Sequence, residues 1–303
     1  MDAWRYNVSD NPGLKMEIDE LFSGQTNKGR GNNKTDGKRF VSFVDDLVFG
    51  VWTYGFKHNF VRHNLAIEYT DLAGSARLLR DGITDLGILS AIELARIKEG
   101  LQVIPGMAVS THGTAGLAQL FFKRGLKDIS RVAVRNTANT SLILLKILMR
   151  EKYASNPEYI FLDADLEQML YRADAALIIG RDAVNLGLRY QNHLDLGEEW
   201  YDLTGLPFVF SFYAGRKFIL GKDDIEPIRQ SFNLGTRNIE KICKEYAEID
   251  NVVWSTYHDF ISKIIKYQFS ELDHDGLNEF YNYAFFFGYI DQIPDVNFLN
   301  SGV

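Results

Sequence analysis

The stretch DLGEEWYDLTGLPFVFSFYAGR, from Asp195 to Arg216, runs from an acidic, Trp-bearing loop through a Gly-Leu-Pro turn into a dense aromatic strand. Its meaning depends on what precedes it. VAVRN from Val132 and ALIIG from Ala176 are two short buried strands, separated by the helix TSLILLKILMREKY and a second helical segment around LEQMLY. That alternation is one α/β unit. LAQLFFKR, from Leu117, is a strand-like connection into this unit, and LPFVFSFYAGR is the connection out. The chain therefore crosses between two lobes twice, and a doubly crossed pair of lobes brackets a cleft.

The other unit lies upstream. RFVSFVDD from Arg39 opens it as a strand, FGVWTYGFKHNF follows as a helix or turn, and LAIEYT is a second short strand. A helix is predicted from Asp71 through Arg80, with Leu72, Ala76 and Leu79 on one face and Gly82 at its end. LGILS is then a buried strand. The order argues for an open, mostly parallel sheet. After Gly221 the pattern turns helical. Ile239, Ile242 and Tyr246 share one face, as do Phe260, Ile264 and Tyr267, so these helices should pack around the first lobe. No internal repeat of sequence is visible, although the lobes can share a shape. The expected division is a flexible leader at 1–38, lobe one at 39–108 plus 220–303, and lobe two at 109–219. Within the leader, residues 23–39 hold only polar residues and glycine, and Leu14, Ile18, Leu21 and Phe22 have the spacing of a short amphipathic helix.

With 303 residues, 46% hydrophobic and 24% charged, the chain has material for a substantial core. Its net charge of -7 and pI of about 5.4 oppose nucleic acid and anionic membranes as partners. Cys243 is the single cysteine, which excludes an internal disulfide and a cysteine-built metal site and fits a reducing compartment. The start, MDAWRYNVSDNPGLKMEIDEL, lacks the apolar run and cationic beginning of an export signal, and no apolar stretch nears the roughly 20 residues that span a bilayer. A cytoplasmic location is the expectation.

Four segments, in order, carry a resemblance: GILSAIELARIKEGLQVIPGMAVSTHGTAGLAQLFFKR from Gly87, VAVRNTANTSLILLKILMREKY from Val132, ADAALIIGRDAV from Ala173, and the Asp195–Arg216 stretch. With the closing GLNEFYNYAFFFGYIDQIPDVNFL, the chain from about Arg39 to Leu299 resembles the chorismate dehydratase family of the futalosine route to menaquinone. The resemblance implies a two-lobed α/β fold of the periplasmic-binding-protein type II class, with ligand between the lobes. It implies a hydro-lyase that converts chorismate to 3-[(1-carboxyvinyl)oxy]benzoate and water, without a metal or redox cofactor.

Chorismate is a dianion whose ring becomes aromatic when one proton and a hydroxyl depart, so the site needs anion receptors, a base and a donor to the departing oxygen. The turn RNTANTSLILL is the first receptor candidate. Asn139, Thr140 and Ser141 stand at a helix start, where free backbone N–H groups and the macrodipole favour a carboxylate. The same residue types serve equally as helix caps. STHGTAGL, from Ser110, is the second: Gly113 allows close approach, and Thr111 and Thr114 offer hydroxyls, with an ordinary loop as the plain alternative. Ser90 closes the strand LGILS, and ligands in open α/β sheets gather at carboxyl ends of strands.

Asp45 closes the first strand in the same way, where the family resembled carries an asparagine in a Tyr-Leu-Asn motif. An asparagine donates to a carboxylate, whereas an ionised aspartate only accepts. Asp45 is therefore protonated and able to act as an acid, turned away, or part of a changed chemistry, and Asp46 beside it could be an exposed helix cap. Leu117 and Ala138 also stand where the family has serine. These three departures leave open a second class, a small-carboxylate binder or sensor derived from the enzyme. No protein base is evident, so the substrate's own carboxylate is the candidate. His112 is expected as an exposed loop residue, Glu198 and Glu199 as part of an exposed loop anchored by Trp200, and Asp165 as a helix cap ahead of LEQMLY.

Overall fold

A computed structural model describes residues 38–97, 100–135 and 139–299. The leader up to residue 37, with its expected amphipathic helix, lies outside the described residues, as does Ala138; the backbone of Asn139 is described and its side chain is not.

The first sheet has the order β2-β1-β3-β10-β4, formed by β1 (Arg39–Val44), β2 (Leu65–Thr70), β3 (Leu86–Ser90), β4 (Leu101–Thr111) and β10 (Phe208–Arg216). β1 runs parallel to β2 and β3, while β10 is antiparallel to β3 and β4. The second sheet has the order β7-β6-β8-β5-β9, formed by β5 (Ala118–Phe122), β6 (Arg131–Val134), β7 (Glu158–Phe161), β8 (Ala175–Ile179) and β9 (His193–Asp195). β6 is parallel to β7 and β8, and β5 is antiparallel to its neighbours. Each sheet thus sets three parallel strands beside one antiparallel strand that lies next to a crossing. The lobes share a shape without sharing a sequence.

Four helices attach to these strands in the first half of the chain: α1 (Gly50–Lys57), α2 (Leu72–Arg80), α3 (Ala91–Arg96) and α4 (Asn139–Glu151). The second lobe adds α5 (Leu166–Arg172), α6 (Arg181–Gly187) and α7 (Leu196–Thr204), and the C-terminal part adds α8 (Lys222–Arg237), α9 (Ile239–Asp250), α10 (Trp254–Asp259) and α11 (Glu271–Phe286). α4 is apolar nearly all round, burying Leu144, Leu145, Ile147, Leu148 and Met149, because it is packed by α3 and α11 of the first lobe as well as by α7. α8 and α9 pack on α1, and α11 packs on β10. The helix expected to carry Phe260, Ile264 and Tyr267 on one face stops short: α10 ends at Asp259, a π-helical turn covers Phe260–Ile264, and Lys266 is extended in a bridge to Ser110.

β10 explains its own composition. It is central in its sheet, eight of its nine residues are buried, and Tyr213 meets Trp52 of α1 edge-on at 5.1 Å. The expected lobe boundaries at 109 and 219 divide the chain differently from the sheets: residues 109–111 and 208–216 pair within the first sheet. An apolar crossing strand reads as buried from its residues, but only pairing decides which sheet it joins. The acidic loop expected at 195–204 is instead α7. Among the described residues, no helix is long and apolar enough to cross a membrane.

Candidate functional site

The hinge between the lobes is organised by Asp195, the first residue of the Asp195–Arg216 stretch. Its carboxylate accepts from the backbone N–H of Ala115 at 2.9 Å and Gly116 at 2.5 Å in the first crossing. It accepts also from Gly197 at 2.9 Å and Glu198 at 3.1 Å, capping α7 before the second crossing. A buried acceptor engaged by four backbone donors fixes both crossings relative to each other. A Cβ on Gly197 would stand 2.7 Å from the Gly113 carbonyl oxygen, so only glycine allows this approach. Trp200 is fully buried and donates from its indole to the Pro207 carbonyl at 3.2 Å, as its anchoring role requires. Glu199 is not on an exposed loop: it is buried on α7 and pairs with Lys152 at 2.7 Å and with the Tyr153 hydroxyl.

The carboxyl ends of β1 and β3 face the second lobe. Extending their register, Val41 opposite Leu86, sets Asp45 abreast of Ser90. Ser90 is buried and precedes α3 in extended conformation, without a capping bond of its own. Across the cleft, the Thr140 hydroxyl accepts from the backbone N–H of Ile92 at 3.1 Å. Thr140 and Ser141 are both buried. The start of α4 is thereby held against the start of α3, and Asp45, Ser90, Thr140 and Ser141 stand on the two faces of one junction. Thr111 ends β4 buried, its hydroxyl without a partner. Gly113 takes φ +84°, a turn glycine suits. Thr114 is exposed and faces a separate hollow of about 540 Å³ at the hinge, lined also by His112, Tyr201, Lys263 and Lys266. His112 is exposed with its ring 4.7 Å from that of Tyr201, as a loop residue would be.

Asp45 is neither protonated nor free. Burial alone would raise its pKa, but hydrogen bonds from the Lys57 ammonium and the Tyr246 hydroxyl, the latter at 2.6 Å, together with the charges of Lys57 and Arg181, hold it below the ordinary 3.8. The acid role considered for it therefore does not fit, and the hydrogen-bond donors on it are Lys57 and Tyr246. Asp46 behaves in the opposite way. Its Oδ1 is shut from solvent without a partner, and burial raises its pKa against the opposing charge of Arg181, whose Nε lies 3.6 Å from Oδ2. The backbone N–H groups of Val48 and Leu47 also favour its charged form from the short turn it precedes, so it lies against that turn part-buried rather than as the exposed cap expected.

Lys57, Tyr246, Arg181 and Asp250 were not visible as site residues in the sequence. Arg181 follows the glycine that ends ALIIG, so its place after a strand end was a usable pointer; Tyr246 and Asp250 gave none. Asp165, by contrast, caps α5 through Gln168 N–H at 2.8 Å as its spacing predicts.

Two mixed sheets joined by two crossings define an α/β protein of the periplasmic-binding class. A protein from Archaeoglobus fulgidus of known crystal structure matches with a TM-score of 0.67 at 19% identity, covering 84% of this chain and 99% of that one. The alkanesulfonate-binding protein SsuA from Xanthomonas axonopodis pv. citri, bound to MOPS, matches with a TM-score of 0.64 at 13% identity, covering 86% and 96%. A Candida albicans gene product described as having the generic periplasmic binding protein structural fold matches at 0.63 with 10% identity, covering 87% and 97%. At these identities the likeness is one of fold. The menaquinone biosynthesis family matches residues 42–285, and the chain belongs to that family. A chorismate dehydratase from Thermus thermophilus is 29% identical over 178 residues, 53% of this chain and 65% of the relative, so the match spans just under two thirds of that protein's length.

Proposed function

We propose that the protein is a chorismate dehydratase, releasing water from chorismate to give 3-[(1-carboxyvinyl)oxy]benzoate in menaquinone biosynthesis. Family membership and the Thermus thermophilus relative support the reaction class. The observation that carries the assignment to this cleft is the Thr140 to Ile92 contact, which holds the positive start of α4 at the ends of β1 and β3.

In this reading the start of α4, with the Thr140 and Ser141 hydroxyls, receives one carboxylate of the substrate, and backbone around Gly113 receives the other. Ser90 orients the ring. Asp45 stays ionised, and Lys57 and Tyr246, bound to it, supply the donors toward the departing hydroxyl. One ring proton passes to the substrate's own carboxylate and from there to the departing hydroxyl, which leaves as water, so that the ring becomes aromatic and Lys57 and Tyr246 end in the protonation state in which they began. Lobe closure excludes bulk water and strengthens each of these contacts.

The test is purified protein mixed with chorismate and followed by mass detection for an aromatic product one water lighter. Product from the native chain, with turnover lowered at least about tenfold in Thr140→Val and Lys57→Met, is the expected result. Absence of product from the folded native protein at saturating chorismate would remove the assignment.

A further inference from the structure

Arg181 opens α6 in the second lobe. Its Nη1 donates to both carboxylate oxygens of Asp250, at 2.9 and 2.8 Å, its Nε lies 3.6 Å from Asp46 Oδ2, and its guanidinium carbon stands 5.1 Å over the Tyr246 ring. All three partners belong to the first lobe: Asp46 follows β1, and Tyr246 and Asp250 lie on α9, which packs on α1. Four residues along α6, Asn185 donates from Nδ2 to the Tyr257 hydroxyl at 2.7 Å, and Tyr257 donates in turn to Asp250. One helix of the second lobe thus grips the first lobe with two side chains on the same face.

The grip is sheltered but incomplete. Arg181 and Asp250 keep 24% and 21% side-chain exposure, so salt screens their attraction less than it would a surface pair. A planar guanidinium suits this multiple contact better than an ammonium would. Yet Arg181 Nε, Asp46 Oδ1 and Asn185 Oδ1 are all shut from solvent with no hydrogen-bond partner. Each such atom raises the cost of holding this joint closed, whereas the Asp195 carboxylate at the hinge is met by four donors. A joint that leaves three unsatisfied is easier to open.

We infer that Arg181 is a positioning residue whose clasp on Asp46 and Asp250, seconded by Asn185 on Tyr257, sets the balance between closed and open lobes. The inference rests on the interlobe cleft being the ligand site, and it adds which residue governs access to it. This clasp uses other partners than the Thr140 contact, because they lie after β1 and on α9 and α10 rather than on α3.

The test reads lobe separation directly in the full chain. Cysteines replacing exposed Ile83 in the first lobe and Tyr171 in the second carry the two dyes for single-molecule energy transfer. Native Cys243 is buried, and burial pushes its thiol up to about 12, so it stays unlabelled. Without ligand, Arg181→Ala and Asp250→Asn should each raise the open-to-closed ratio about tenfold, and Arg181→Lys should raise it less. With chorismate, KM should rise about tenfold in Arg181→Ala, and kcat should fall as well, because the guanidinium also lies over Tyr246 and helps hold Asp45 ionised. An unchanged energy-transfer distribution in folded Arg181→Ala overturns the inference. Because the ligand-free arm needs no turnover, it decides the clasp even if chorismate is not the substrate.

Discussion

Asp195 and Asp250 are both aspartates at the junction of the lobes, and their surroundings differ in kind. Asp195 is buried among backbone donors that the chain itself brings to it, two from each crossing. Its partners cannot leave without breaking the crossings. Asp250 meets side chains, Arg181 and Tyr257, at the end of a surface helix, and the atoms around it retain unsatisfied capacity. Backbone partners make a hinge; long side chains with alternatives make a clasp. The contrast shows how one molecule keeps two lobes attached at one place and releasable at another.

The largest expected effect tests the hinge. Asp195→Ala strands four backbone N–H groups and should destabilise the protein by about 3–4 kcal/mol, lowering Tm by roughly 6–12 °C in calorimetry. A loss under about 1 kcal/mol would show that the crossings are held by the apolar core instead. Next is the neutral contact: Thr140→Val keeps the shape, leaves the Ile92 N–H without its acceptor, and should cost about 1–2 kcal/mol in denaturant titration. The clasp comes third. Arg181→Ala should lower stability by only about 1 kcal/mol, given its partial exposure, while its effect on lobe separation is far larger than that of Thr140→Val. Equal opening in the two variants would erase the distinction between the flanks.

The smallest effects are in pH dependence, and they have opposite signs in neighbouring residues. Asp45 has a folded pKa below 3.8, so its contribution to stability is present above that value and is lost as pH falls through the folded pKa. Asp46 has a raised pKa, so its contribution is full below 3.8 and is lost as pH rises through the folded value. Melting curves between about pH 3 and 7 should therefore show Asp45→Asn losing less stability than the native protein at the acid end. Asp46→Asn should gain on the native protein as pH rises. Shifts of the same sign in both variants would mean that Lys57 and Arg181 do not divide the two carboxylates as described.

Much of the architecture was legible because its causes are local. LGILS, ALIIG and the aromatic strand are apolar runs bounded by turns, and their short length and flanking glycines tell them apart from the longer apolar run that forms α4. The amphipathic spacing of Ile239, Ile242 and Tyr246 likewise required α9 to pack one face inward. Ser90 was legible as a strand end, and Thr140 and Ser141 as a helix start, for a related reason, since sequence locates such positions. The segment 195–204 was misjudged because acidic residues beside Trp200 resemble a solvated loop, whereas Asp195 capping and Glu199 pairing with Lys152 make it a helix.

Charge partners were not legible, and Asp45 shows why. Sequence alone places two α/β units, the two crossings and the strand ends that line a cleft, because hydrophobic runs and turns are set over a few residues. Only the tertiary structure decides that Asp45 is ionised, because Tyr246 is 201 positions away, and that Arg181 closes on Asp250, 69 positions on. Those pairs exist only where the C-terminal helices pack back onto the first lobe, and a carboxylate's charge state follows from the neighbours that packing brings to it.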